Sequence, residues 1–85
     1  MIYHVLLAKG AQKELDNLPK RVGLKIYAKL ETLAENPRPA GCKKLEGSKN
    51  SFRIRIGDYR VVYSVYDTEL IVEVIKVGHR REVYR

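Results

Sequence analysis

Three arginines in one short stretch stand where a pleated strand pair would gather them on one side: Arg53, Arg55 and Arg60. Taken with period two, Phe52, Ile54 and Ile56 fall on one face of a strand, and Arg53 and Arg55 on the other. Gly57-Asp58 then permits a two-residue hairpin, because glycine supplies the positive φ that so tight a turn needs. The returning strand puts Tyr59, Val61, Tyr63 and Val65 on one face and Arg60, Val62, Ser64 and Tyr66 on the other. If the two apolar faces are shared, the three guanidiniums lie together on the opposite face. Like charges so placed repel one another. The patch therefore points to an anionic partner, and guanidiniums match phosphate through paired hydrogen bonds.

Further along, His79, Arg80 and Arg81 form a second cationic cluster, followed by the aromatic hydroxyl of Tyr84. Tyrosine and histidine can stack on nucleobases or move protons. Lys43, Lys44 and Lys49 make the segment before Phe52 basic, and it leads directly into the arginine-bearing strand, so it is expected to line the same groove. No acidic cluster is placed to hold catalytic metal ions, and no zinc spacing, phosphate loop or Ser-His-Asp arrangement occurs. Neither a metal nor an organic cofactor is expected. His4 reads as a strand-surface residue, and Cys42, the single cysteine, as a bystander that can form no intramolecular disulfide.

The whole composition agrees with an anionic partner. Seventeen Lys and Arg against ten Asp and Glu leave a net charge of +7 on 85 residues. An apolar fraction of 45% suffices for one modest core, and residues 1–85 read as a single domain. No apolar run is long enough to span a bilayer, and the first residues lack the basic start and cleavage site of a signal peptide. A cytoplasmic protein without a membrane partner is expected.

The elements that must position these side chains follow from periodicity. Residues 2–7 alternate as a first strand with both faces largely apolar, so good coverage is expected. Ala8, Ala11, Leu15 and Leu18 recur at helical spacing until Asn17-Leu18-Pro19 breaks the helix. Val22, Ile26, Leu30 and Leu33 form the stripe of a second helix ending at Asn36-Pro37. Arg21, Lys25 and Lys29 make a basic row on it. Residues 36–50 read as a long connection without regular structure, anchored by Leu45. After the hairpin, Asp67-Thr68 turns the chain into a nearly continuous apolar strand over residues 69–77, covered on both sides and stopped by Gly78. The fold class is α+β: an N-terminal strand, an α-helical hairpin, then a three-stranded antiparallel meander. The helices pack on one face of a four-stranded sheet, with the place of residues 2–7 in that sheet open. From these residues alone the function is that of a basic module binding an anionic polymer, with RNA cleavage open.

Three motifs carry a family resemblance: Leu45-Glu46-Gly47, the run from Phe52 to Tyr63, and the run from Val77 to Arg85. With the order of elements, they make the chain similar over essentially its whole length to the RelE branch of the RelE/ParE toxin superfamily. These are the toxic halves of bacterial toxin–antitoxin pairs. The resemblance implies a ribosome-dependent endoribonuclease that cuts mRNA in the decoding site by metal-independent attack of the 2′-hydroxyl. It implies a RelB-like antitoxin as inhibitor, acidic where it covers the groove, and operator DNA as a target of the toxin–antitoxin complex. By position, Arg53 and Arg55 take the places of paired basic residues, Arg60 that of an arginine holding phosphate, and Arg80 that of one stabilising the transition state or leaving group. Tyr84 takes that of the tyrosine orienting the nucleotide, with His79 and Arg81 nearby. The best-known members carry lysines where this chain has Arg53 and Arg55. Arginine does not give up its proton, so Tyr84 and His79 are the titratable groups left for a general base. Two alternatives stand beside this reading: a ParE-like toxin that inhibits DNA gyrase without catalysis, and an inactive antitoxin-binding module.

Overall fold

Side-chain alternation and helical stripes resolve into seven elements along residues 2–79, the part of the chain that the computed structural model describes. They are β1 (His4–Leu7), α1 (Lys9–Asp16), α2 (Lys20–Leu33), β2 (Lys43–Lys44), β3 (Ser51–Ile56), β4 (Tyr59–Tyr66) and β5 (Ile71–His79). The strands form one mixed sheet in the order β1-β5-β4-β3-β2. Neither helix has a side-chain cap at its start. Packing of their apolar stripes therefore carries them. Ala11 and Leu15 of α1 and Ile26, Leu30 and Leu33 of α2 are buried against Ile54, Val61, Tyr63, Val65, Val72, Val74 and Val77 of the sheet. The α+β class, the helical hairpin on one face and the three-stranded meander are as expected.

Four details depart from the sequence-based reading. The sheet has five strands, because Lys43 and Lys44 pair antiparallel with Arg53 and Phe52 inside the expected loop. A two-residue strand carries no periodic signal. β1 lies parallel beside β5, from His4 opposite Ile71 to Leu7 opposite Val74, and so forms an edge. Its outer face is less covered than expected, with Leu6 half exposed. β5 begins at Ile71 rather than residue 69, because Leu70 takes a φ of 57° in the preceding turn; it continues through Gly78 to His79. Finally, β5 is not covered throughout. A bulge opposite Val62 and Tyr63 skips Ile75 in the pairing, leaving Ile75 and Lys76 exposed.

Where β1 stops, Glu14 of α1 takes over the edge of β5. One carboxylate oxygen accepts the Val77 N–H at 2.8 Å and the other accepts from Lys76 Nζ at 2.7 Å. Burial by itself would raise the Glu14 pKa. The Lys76 and Val77 hydrogen bonds and the Lys76 charge outweigh it and hold the group below its ordinary value.

Candidate nucleic-acid interface

The β3–β4 hairpin places the arginines. Gly57 turns the chain at φ 62°, and Ile56 pairs with Tyr59 across a two-residue turn. This register sets Arg55 directly opposite Arg60, and Arg53 opposite Val62. Opposed residues share a face, so all three guanidiniums lie on the side of the sheet away from the helices. β2 extends this face by one cation, since Lys43 pairs with Arg53. Gly41, Lys43, Arg53 and Arg55 line a concavity of about 210 Å³.

Burial divides the set. Arg55 and Lys43 are exposed, whereas Arg53 and Arg60 are only 7% and 5% accessible. Arg53 and Arg60 therefore form the floor of this face, and Arg55 and Lys43 its rim. Arginine and lysine are donors without an acceptor. Such walls attract phosphate and give no ligand to a cation. Among the described residues no group of three or more His, Cys, Asp or Glu side chains comes together.

The other sequence-based candidates separate. Lys44 pairs with Phe52, so the pleat turns it to the face opposite Arg53 and Arg55. Lys49 is exposed in the bend before Ser51, and Ser51 itself stands about 13 Å from Arg55 at strand rise, at the far end of β3. The long segment therefore contributes Lys43 to the arginine face and neither of the other two lysines. His79 pairs with Tyr59, one position along from the Arg60–Gly78 pair and hence on the opposite face. The two rings meet edge to face at 5.7 Å, and His79 lines a separate hollow with Glu14, Tyr59 and Lys76. Arg80, Arg81 and Tyr84 lie outside the described residues.

Gly41 and the ties that hold its segment escaped the sequence reading. The Tyr63 hydroxyl donates to the Pro37 carbonyl at 2.7 Å. Burial, joined by Cys42 nearby, pushes that hydroxyl well above the ordinary tyrosine value, so it remains a donor. Arg38 stands over the Phe52 ring at 5.4 Å and donates to Asp67 at 2.7 Å. Asp67 also accepts from Tyr3 at 2.6 Å. These two donors hold the Asp67 carboxyl below its usual value. The prolines framing Arg38 were the available signal, since they stiffen a segment otherwise read as loose.

Comparison with known proteins adds to this geometry. Residues 5–84 match the family model described as "ParE toxin of type II toxin-antitoxin system, parDE". The mRNA interferase toxin RelE of Escherichia coli is 35% identical over 88 aligned positions, which cover 99% of this chain and 92% of that protein. A double arginine-to-alanine variant of Escherichia coli RelE, solved in the free state, superposes with a TM-score of 0.84 at 34% identity, covering 99% of this chain and 92% of that one. The archaeal RelE–RelB complex of Pyrococcus horikoshii gives a TM-score of 0.83 at 33% identity, with coverage of 94% and 97%.

Proposed function

Because this chain belongs to the RelE/ParE toxin superfamily, on its RelE-like branch, we propose that it is an mRNA-cleaving toxin held inactive by a cognate antitoxin. The observation that carries the reading is the cationic concavity of Lys43, Arg53 and Arg55, flanked by Arg60, on the helix-free face of a sheet whose fold resembles that of the toxin RelE. The substrate is mRNA presented by the ribosome. Alignment by the ribosome supplies much of the rate, since positioning alone contributes about 7–11 kcal/mol. Free RNA is cut poorly, because this small face has no means of bending a strand into line.

In the reaction the substrate's own 2′-hydroxyl attacks the adjacent phosphorus as its proton departs. The bond from phosphorus to the 5′ oxygen breaks, and that oxygen is protonated. The products are a 2′,3′-cyclic phosphate and a free 5′-hydroxyl. Arg60 and Arg53 hold the phosphate, and Arg55 and Lys43 guide the strand from the rim. By the family resemblance, Arg80 stabilises charge on the phosphoryl and leaving oxygens, and Tyr84 orients the nucleotide. The antitoxin is RelB-like, acidic where it covers this face.

Primer extension on mRNA from cells expressing the chain tests the reading. Cuts within translated codons, with 5′-hydroxyl ends, are expected, and co-expression of the neighbouring reading frame restores growth. The name of the matching family model favours a second reading, gyrase inhibition by a ParE-like toxin. Intact mRNA together with loss of DNA supercoiling would establish that alternative.

A further inference from the structure

One wall of the concavity is held from the other side of the sheet. Gly41 and Lys43 belong to a segment whose own pairing is slight: β2 has two residues, at the sheet edge. So short an edge strand frays readily unless something upstream restrains it. That restraint sits at Pro37 and Arg38. Tyr63 rises from the helix-side face of β4 to bind the Pro37 carbonyl, and its ring stacks on Phe52 at 5.9 Å. Arg38 closes over Phe52 and reaches Asp67 in the turn after β4. Pro37 and Pro39 stiffen the backbone, and the Cys42 N–H binds the Pro39 carbonyl at 3.1 Å. Gly41 then turns at φ 93° and delivers Lys43 opposite Arg53.

We infer that Tyr63 and Arg38 are positioning residues for substrate: they touch no RNA, and they set the affinity of the site by holding the Gly41–Lys43 wall against Arg53 and Arg55. The inference rests on the RNA-cleaving reading for its substrate and on the hydrogen bonds of one segment for its geometry. Apparent affinity scales with the fraction of molecules whose wall is in place. Loss of a tie therefore raises KM and leaves kcat unchanged.

The test uses the full chain, mRNA on programmed ribosomes, and amide hydrogen exchange. Tyr63→Phe keeps the ring on Phe52 and removes only the donor; Arg38→Ala removes the ion pair and ring contact at an exposed position. Each is expected to raise KM about two- to tenfold, the worth of one hydrogen bond, and to speed exchange over residues 43–45 while β4 amides stay protected. Arg38→Lys, which keeps the cation beside Asp67, recovers most of the loss. In a Lys43→Ala background the effect of Tyr63→Phe on KM falls below about twofold, because residues acting through one another are not additive. Additive effects, or unchanged exchange over residues 43–45 in both variants, overturn the inference. If the wild-type chain cleaves no mRNA, the functional reading fails by itself. The exchange measurement then still decides whether Tyr63 and Arg38 hold the wall.

Discussion

At the scale of single residues, the arginine face contains two kinds of cation. Arg55 is exposed and spends nothing on packing, so Arg55→Ala should leave stability within about 0.5 kcal/mol of wild type. It should lower the log–log salt slope of RNA binding by roughly 0.7–0.9, the value of one phosphate contact. Arg60 is buried, so Arg60→Ala should lose packing of the stem along with the proposed phosphate contact. Urea melts and salt titrations of both variants separate these effects; equal loss of stability would show that burial of Arg60 is energetically idle. Glu14 provides a second residue-scale prediction. Its folded pKa lies below the ordinary 4.5. The stability it contributes is complete above its unfolded value and is lost as pH falls through the folded one. Glu14→Gln should remove that part of the acid dependence while keeping an acceptor for Val77. An acid limb identical to wild type in urea melts would mean that the carboxylate adds nothing.

At the scale of elements, the hairpin turn decides whether Arg55 and Arg60 face each other. A Cβ at Gly57 would meet nothing within 4 Å, so any cost of substitution there is backbone strain at φ 62°. Gly57→Ala should destabilise by about 1 kcal/mol, and Gly57→Asn by much less, because asparagine tolerates the left-handed region. Equal losses in chemical denaturation would place the cost elsewhere. Pro19 acts at the same scale. It closes α1 from α2 and caps the second helix with extended backbone, which lets the two helices cover one face of the sheet and leave the arginine face free of helices.

The whole molecule carries a charge of +7 on a small body, and self-repulsion opposes folding. Screening shortens the Debye length from about 10 Å at 0.1 M salt to about 3 Å at 1 M. Sodium chloride should therefore raise the melting temperature across that range while weakening RNA binding. A falling melting temperature would show that the Arg38–Asp67 and Lys76–Glu14 pairs outweigh the net repulsion. If the antitoxin covers this face with an acidic segment, as proposed, the same charge should make that segment a strong competitor for it. Covering it should quench RNA binding more effectively at low salt than at high salt.

Local rules were enough for much of this protein. Alternation along Phe52 to Tyr66 is a property of the pleat, so the hairpin, its turn at Gly57-Asp58 and the common face of Arg53, Arg55 and Arg60 are legible in the sequence. Helical stripes and Pro19 likewise disclosed the helical hairpin. The tertiary structure decided what depends on partners distant in sequence. It set β1 parallel beside β5, because that pairing joins segments separated by two helices and three strands and leaves no local signature. It drew Lys43 onto the arginine face and turned Lys44 away, because the faces of a two-residue strand are assigned only when it meets β3. It buried Arg53 and Arg60 and left Arg55 exposed, although all three follow the same pattern in sequence. It also brought Tyr63 and Arg38 to the support of Gly41 and Lys43, since a hydroxyl and a carbonyl 26 residues apart meet only through packing of the sheet beneath the helices.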